Sequence, residues 1–137
     1  MAKLYFRYGA MGSSKTANAL MVNYNYFERG AVPILLKPAL EDRDGEKIIK
    51  SRIGLSWECE FVEDFLYNME KDPKYVKKYD AVIIDEAQFL DMGLVDVCNE
   101  LAYRGIRVII AGLDMDYKGV PFGPMPALCA IADDVTK

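Results

Sequence analysis

The chain alternates short apolar runs with segments whose apolar residues recur at helical spacing. "KLYFRY" near the start, "VPILLK" at 32–37, "YDAVIID" at 79–85 and "IRVIIAGL" at 106–113 are near-continuous apolar runs of strand length. Continuous rather than alternating runs are what strands covered on both faces require. Between them, "TANALMVNYNYFERG" carries a helical stripe that stops at Gly30, and 94–104 carries another that stops at Gly105. "WECEFV" predicts a short strand at 57–62, "EDFLYNMEKD" a helix closed by Pro73, and "ALCAIADD" a closing helix at 127–134. Pro33 calls for an edge strand or an early position within its strand. The polar, glycine-punctuated stretch 38–56 reads as a long loop, and 114–126 as another. Loops of that length in compact domains usually carry function or move. Strands alternating with helices predict an α/β fold with a mainly parallel sheet, helices on both faces and right-handed crossovers. No repeat, low-complexity stretch or linker interrupts the pattern, so 1–137 reads as one domain.

Composition narrows the function classes. The net charge of −4 argues against binding a nucleic-acid polymer, which needs a basic face for the phosphates. A free nucleotide remains compatible, because a few donors in one pocket can hold it. No cationic leader precedes Leu4 and no apolar run approaches membrane length, so a cytoplasmic protein without membrane contact is expected. Cys59, Cys98 and Cys129 are odd in number and far apart, which fits reduced thiols rather than disulfides or a Cys-x-x-Cys pair. The chain has no histidine, which excludes imidazole chemistry from its own residues.

The segment Gly9-Ala10-Met11-Gly12-Ser13-Ser14-Lys15-Thr16 follows a predicted strand and opens a predicted helix. In such a turn successive backbone N–H groups converge on an anion, and the helix N-terminus adds partial positive charge. Lys15 would reach the β- and γ-phosphates, and the Thr16 hydroxyl would ligate Mg²⁺. This is close to the P-loop pattern, with Ser14 where that pattern has its second glycine. An incidental glycine turn is the plainer alternative, and the flanking strand and helix weigh against it.

A second stretch, "AVIIDEAQF", puts Asp85 and Glu86 just past the carboxyl end of a buried strand. In open α/β sheets that is the edge where ligands bind. Asp85 would hold Mg²⁺ through its waters, as a Walker-B aspartate does. Glu86 could take a proton from an attacking hydroxyl or water. Acidic residues also end strands merely because turns are solvated, but the pairing with a P-loop makes that reading weaker.

"LYFRYGAMGSSKT", "SRIGL", "DEAQF" and "GLDMDYKGVPFG" together resemble the type II thymidine kinases, the zinc-carrying family of deoxynucleoside kinases. The resemblance runs from Lys3 to the end, in the family's order and spacing. It implies a P-loop NTPase-like, RecA-like domain that transfers the γ-phosphate of ATP to the 5′-hydroxyl of thymidine, with ATP and Mg²⁺ as cofactors. It also implies a cytoplasmic homo-oligomer, a tetramer in this family. By position, Gly9 to Thr16 match the ATP loop, and Asp85, Glu86, Ala87 and Gln88 a second nucleotide-contacting segment. Glu86 matches the family's proton acceptor, and Arg43 an arginine that reaches the phosphates. Met11, Phe89, Leu113 and Tyr117 match positions around the thymine base. Aromatic and thioether walls suit a flat, weakly polar pyrimidine. Phe89 could instead cap the core, and Tyr117 could be an exposed loop residue. Arg43 or Arg52 could supply charge to the transition state, and Trp57 reads as structural.

Two departures stand out. Ser14 replaces the glycine of the family's "SGK", and the family's zinc-binding part, with two Cys-x-x-Cys pairs and a loop over thymidine, has no counterpart in these residues. Cys59, Cys98 and Cys129 do not match zinc ligands. These 137 residues are therefore expected to fold and bind Mg·ATP without zinc, and to phosphorylate thymidine slowly or not at all. Thymidine kinase is the favoured function. A P-loop ATPase acting on a polymer, and a nucleotide-binding module without turnover, are the alternatives.

Overall fold

The apolar runs of the sequence become the inner strands of a parallel sheet. The computed structural model describes residues 4–8, 15–40, 47–51, 54–87, 90–112 and 124–136. In chain order its elements are β1 (Leu4–Tyr8), α1 (Lys15–Glu28), β2 (Pro33–Lys37), β3 (Ile48–Lys50), β4 (Ser56–Glu58), β5 (Glu60–Phe61) and α2 (Val62–Lys71). After a single 3₁₀ turn at Tyr75–Lys78 come β6 (Ala81–Ile84), α3 (Gly93–Tyr103), β7 (Arg107–Gly112), α4 (Met125–Ile131) and β8 (Asp134–Thr136).

Six strands make one sheet in the order β5-β2-β6-β7-β1-β8, and every pairing in it is parallel. The strand that precedes Gly9, β1, is separated from the strand that leads into Asp85, β6, by β7 alone. Pro33 is the first residue of β2, which lies inside the sheet, so the early-position reading holds and the edge reading does not.

Strand alternation divides the core in two. Ile34, Leu36, Val82, Ile84, Val108 and Ile110 face α2, α3 and α4 through Phe65, Cys98, Leu101 and Leu128. Leu35, Ile83, Ile109 and Ala111 face the other way, toward Ala19 and Leu20 of α1 and toward Ile49 and Cys59. Helices therefore cover both faces, as the continuous apolar runs require. Two helices end alike. Gly30 and Gly105 take φ of +80° and +91°, and the next amide reaches back five residues, Ala31 to Tyr26 and Ile106 to Leu101, each at 3.1 Å. This left-handed closure is open to glycine at little cost.

Three expectations change. The stretch 38–56 is not all loop: Ile48–Lys50 pairs antiparallel with Ser56–Glu58 in a separate two-stranded sheet. The single strand expected at 57–62 is divided, because Cys59 lies between β4 in that hairpin and β5 beside β2, and Val62 already begins α2. The closing helix ends at Ile131 rather than 134, and Asp134–Thr136 joins the sheet edge beside β1. Asp133 guides that pairing, since its carboxylate accepts from the Leu4 amide at 2.8 Å while its amide donates to the Leu4 carbonyl at 2.9 Å. Trp57 seats the hairpin on α1, its ring edge-on to Phe27 at 5.5 Å and to Tyr24 at 6.4 Å.

Candidate functional site

The site is built where α1 begins and β6 ends. Ile83 points to the α1 side of the sheet, so two residues on, Asp85 does too. The Thr16 hydroxyl, in the first turn of α1, donates to Asp85 Oδ2 at 2.9 Å. The Asp85 amide extends the ladder by donating to the Leu36 carbonyl at 2.9 Å. The carboxylate is thus fixed through both backbone and side chain.

Asp85 is only 3% exposed, and its Oδ1 is buried without a hydrogen-bond partner among the described residues. Its pKa is pushed up from 3.8 to about 6, first by burial and then by the Glu86 charge. The Thr16 hydrogen bond, the Glu86 amide and the Lys15 charge pull the other way. A buried acceptor whose lone pairs receive no donor is uncommon and costly. Glu86 follows at φ +56°, a left-handed conformation that costs a non-glycine residue of order 1–3 kcal/mol. That backbone turn ends the strand and sends the chain away from the sheet. Ala87 is fully buried behind it.

The structure brings Lys15, Thr16, Asp85 and Glu86 to one edge. Gly9, Ala10, Met11, Gly12, Ser13 and Ser14 lie outside the described residues. So do Arg43, Arg52, Gln88, Phe89, Leu113 and Tyr117. Among the described residues no group of three or more His, Cys, Asp or Glu side chains is assembled for a metal, and no helix is long and apolar enough to cross a membrane. Cys59 and Cys98 are buried thiols whose pKa values burial pushes up to about 11 and about 12. Sequence reading passed over Lys37, which ends β2 and is buried at this same edge. The signal was available: a lysine closing an otherwise apolar strand.

A family model described as "Thymidine kinase" matches residues 2–137. A thymidine kinase of Bacteroides fragilis (strain YCH46) is 48% identical over 130 residues, covering 94% of this chain and 63% of that protein. One from Francisella tularensis is 39% identical over 139 residues, covering 97% of this chain and 69% of that protein. One from Porphyromonas gingivalis is 69% identical over a shorter stretch of 58 residues, 42% of this chain and 28% of that protein. The chain thus spans a little under two thirds of the Bacteroides relative. Among solved structures, a DNA replication initiation factor superposes with TM-score 0.57 at 18% identity, over 99% of this chain and 40% of that one. That likeness concerns the fold alone.

Proposed function

The chain belongs to the thymidine kinase family, and from that premise we propose that it transfers the γ-phosphate of ATP to the 5′-hydroxyl of thymidine. The observation that carries the proposal is the Thr16–Asp85 hydrogen bond, which joins the end of the phosphate turn to the acidic strand end. Thr16 and Asp85 are the residues that would hold Mg²⁺. Asp85 Oδ1, buried and without a hydrogen-bond partner among the described residues, suits a hard cation that takes oxygen ligands. When bound, Mg²⁺ would supply positive charge that offsets the negative charge of the phosphates.

The chain's own groups do the rest. The turn Gly9 to Ser14 and the α1 N-terminus cradle the phosphates, Lys15 pairs with their oxygens, and Arg43 adds charge as transfer proceeds. Glu86 accepts the 5′-hydroxyl proton. Its left-handed backbone directs it away from the course of β6, leaving Asp85 to the metal and Glu86 to the nucleophile. Ala87 and Gln88 continue the nucleotide-contacting segment, and Met11, Phe89, Leu113 and Tyr117 form walls for thymine. The reading extends to one nucleotide-binding domain over 1–137, a cytoplasmic location and a homo-oligomer.

Calorimetric titration with ATP, with and without Mg²⁺, tests the site. Binding should require Mg²⁺, and Asp85→Asn should remove that requirement along with most of the affinity. Equal affinity with and without the metal in the parent chain would overturn the reading.

A further inference from the structure

Strand β2 ends in a lysine that the phosphate motif leaves unused. Lys37 is 3% exposed, and its Nζ donates to the Ile48 carbonyl at 2.8 Å. In the β2–β6 ladder Leu36 stands opposite Ile84, so Lys37 and Asp85 are the next neighbours along the carboxyl edge. Alternation puts Lys37 on the face of Leu35 and Asp85 on the face of Ile83, and those two share the α1-side core. Asp85 reaches α1 on that face through Thr16. Cys59, in the same cluster, has its pKa raised first by burial; after that Lys37 lowers it, while Glu60 and Asp85 raise it.

Taking an ammonium out of water is costly even when it is hydrogen-bonded. An apolar side chain would pack β2 against β3 without that penalty, so a charge is kept at this edge at a cost. The phosphates of a bound nucleotide would start at the first turn of α1, and Thr16 places that turn against Asp85. A phosphate chain running outward from there ends beside β6 and its neighbour β2.

We propose that Lys37 is a further residue of the phosphate site, supplying positive charge toward the terminal phosphate of a bound nucleoside triphosphate from the strand next to Asp85. The proposal rests on the nucleotide-binding reading above. ADP lacks the phosphate nearest to Lys37, so the preference for ATP over ADP reports its contribution.

The test is the ratio of Mg·ATP to Mg·ADP affinity, by calorimetry on the full chain, for the parent, Lys37→Gln and Lys37→Arg. Gln keeps an N–H donor for the Ile48 carbonyl and drops the charge, whereas Arg keeps the charge. The ratio should fall about ten-fold in Lys37→Gln, the scale of one charge acting at partial burial, and recover in Lys37→Arg. Affinity for ADP should stay near the parent's. If Lys37→Gln does not fold, Lys37→Met fills the site and the ratio is read in the same way. An unchanged ratio, or equal loss of both nucleotides, overturns the proposal and leaves Lys37 as a tie between β2 and β3. A parent chain that binds neither nucleotide overturns the nucleotide-site reading itself.

Discussion

The Thr16 hydroxyl and Asp85 Oδ2 meet at 2.9 Å although 69 positions separate them in the chain. The contact needs β1, β7 and β6 side by side, because α1 follows β1 while Asp85 follows β6. The sheet order thus converts two distant motifs into one oxygen-lined site. Thr16→Val keeps the side chain's shape and removes the donor. It should destabilise the ligand-free chain by about 1–3 kcal/mol, since a buried acceptor loses its partner. Mg²⁺-dependent ATP binding should also weaken. Denaturant unfolding and ATP titration of the variant measure the two effects, and no change in either would show that the bond has no role.

Asp85 carries the stability cost of the site. Its folded carboxyl titrates near 6 against an ordinary 3.8, first because it is buried and then because of Glu86. Between about pH 4 and pH 6 the folded chain therefore holds a proton that the unfolded chain has released. Stability from this group is greatest at acid pH and falls as pH rises through that window, by about 3 kcal/mol in all. Asp85→Asn, neutral at every pH, should raise the Tm of the ligand-free chain at pH 7 while abolishing Mg²⁺-dependent ATP binding. Melting curves at pH 7 without metal check this; a lower Tm for the variant would contradict it.

Much of this was legible in the sequence, for physical reasons. Parallel strands covered on both faces are apolar along most of their length, so β2, β6 and β7 announced themselves, and Gly30 and Gly105 marked helix ends whose φ values suit glycine. That Thr16 and Asp85 would lie together was legible because each stands at the end of a sequence motif, and the structure joins the two by a hydrogen bond. Other features had no such signal. The β3–β4 hairpin has three residues per strand, too few for a period to show, and all of β4 is exposed. The run Asp134–Thr136 looks like a polar tail, and the Asp133–Leu4 bonds together with the ladder to β1 hold it to the sheet. Lys37 was passed over because lysine is rarely buried, and its burial depends on the Ile48 carbonyl of a strand that was itself missed.

Lys15 begins α1 next to Thr16. Lys15→Ala should weaken Mg·ATP binding by about 2–4 kcal/mol, the scale for removing one side of a buried charged contact. Titration calorimetry measures it, and parent-like affinity would remove Lys15 from the phosphate site.

Glu86 separates chemistry from binding. Glu86→Gln preserves size and cannot accept the hydroxyl proton, so ATP should still bind while transfer falls by roughly 10²–10⁴-fold. Glu86→Gly relieves the φ of +56° and should stabilise the fold by about 1 kcal/mol while abolishing transfer. Thermal unfolding beside a transfer assay distinguishes the two variants. A destabilised Glu86→Gly would mean that the side chain holds the turn in place rather than serving the reaction.

On the proposed function, the carboxyl edge around Asp85 and Glu86 delivers phosphate to a nucleoside and not to water. The most direct measurement follows the label of γ-³²P ATP with Mg²⁺, with and without thymidine, and reports where it goes irrespective of how fast. Whatever label leaves ATP, however slowly, should appear in thymidine 5′-monophosphate, in an amount that Glu86→Gln sharply reduces. Label found only in inorganic phosphate, released equally with and without thymidine, would contradict it.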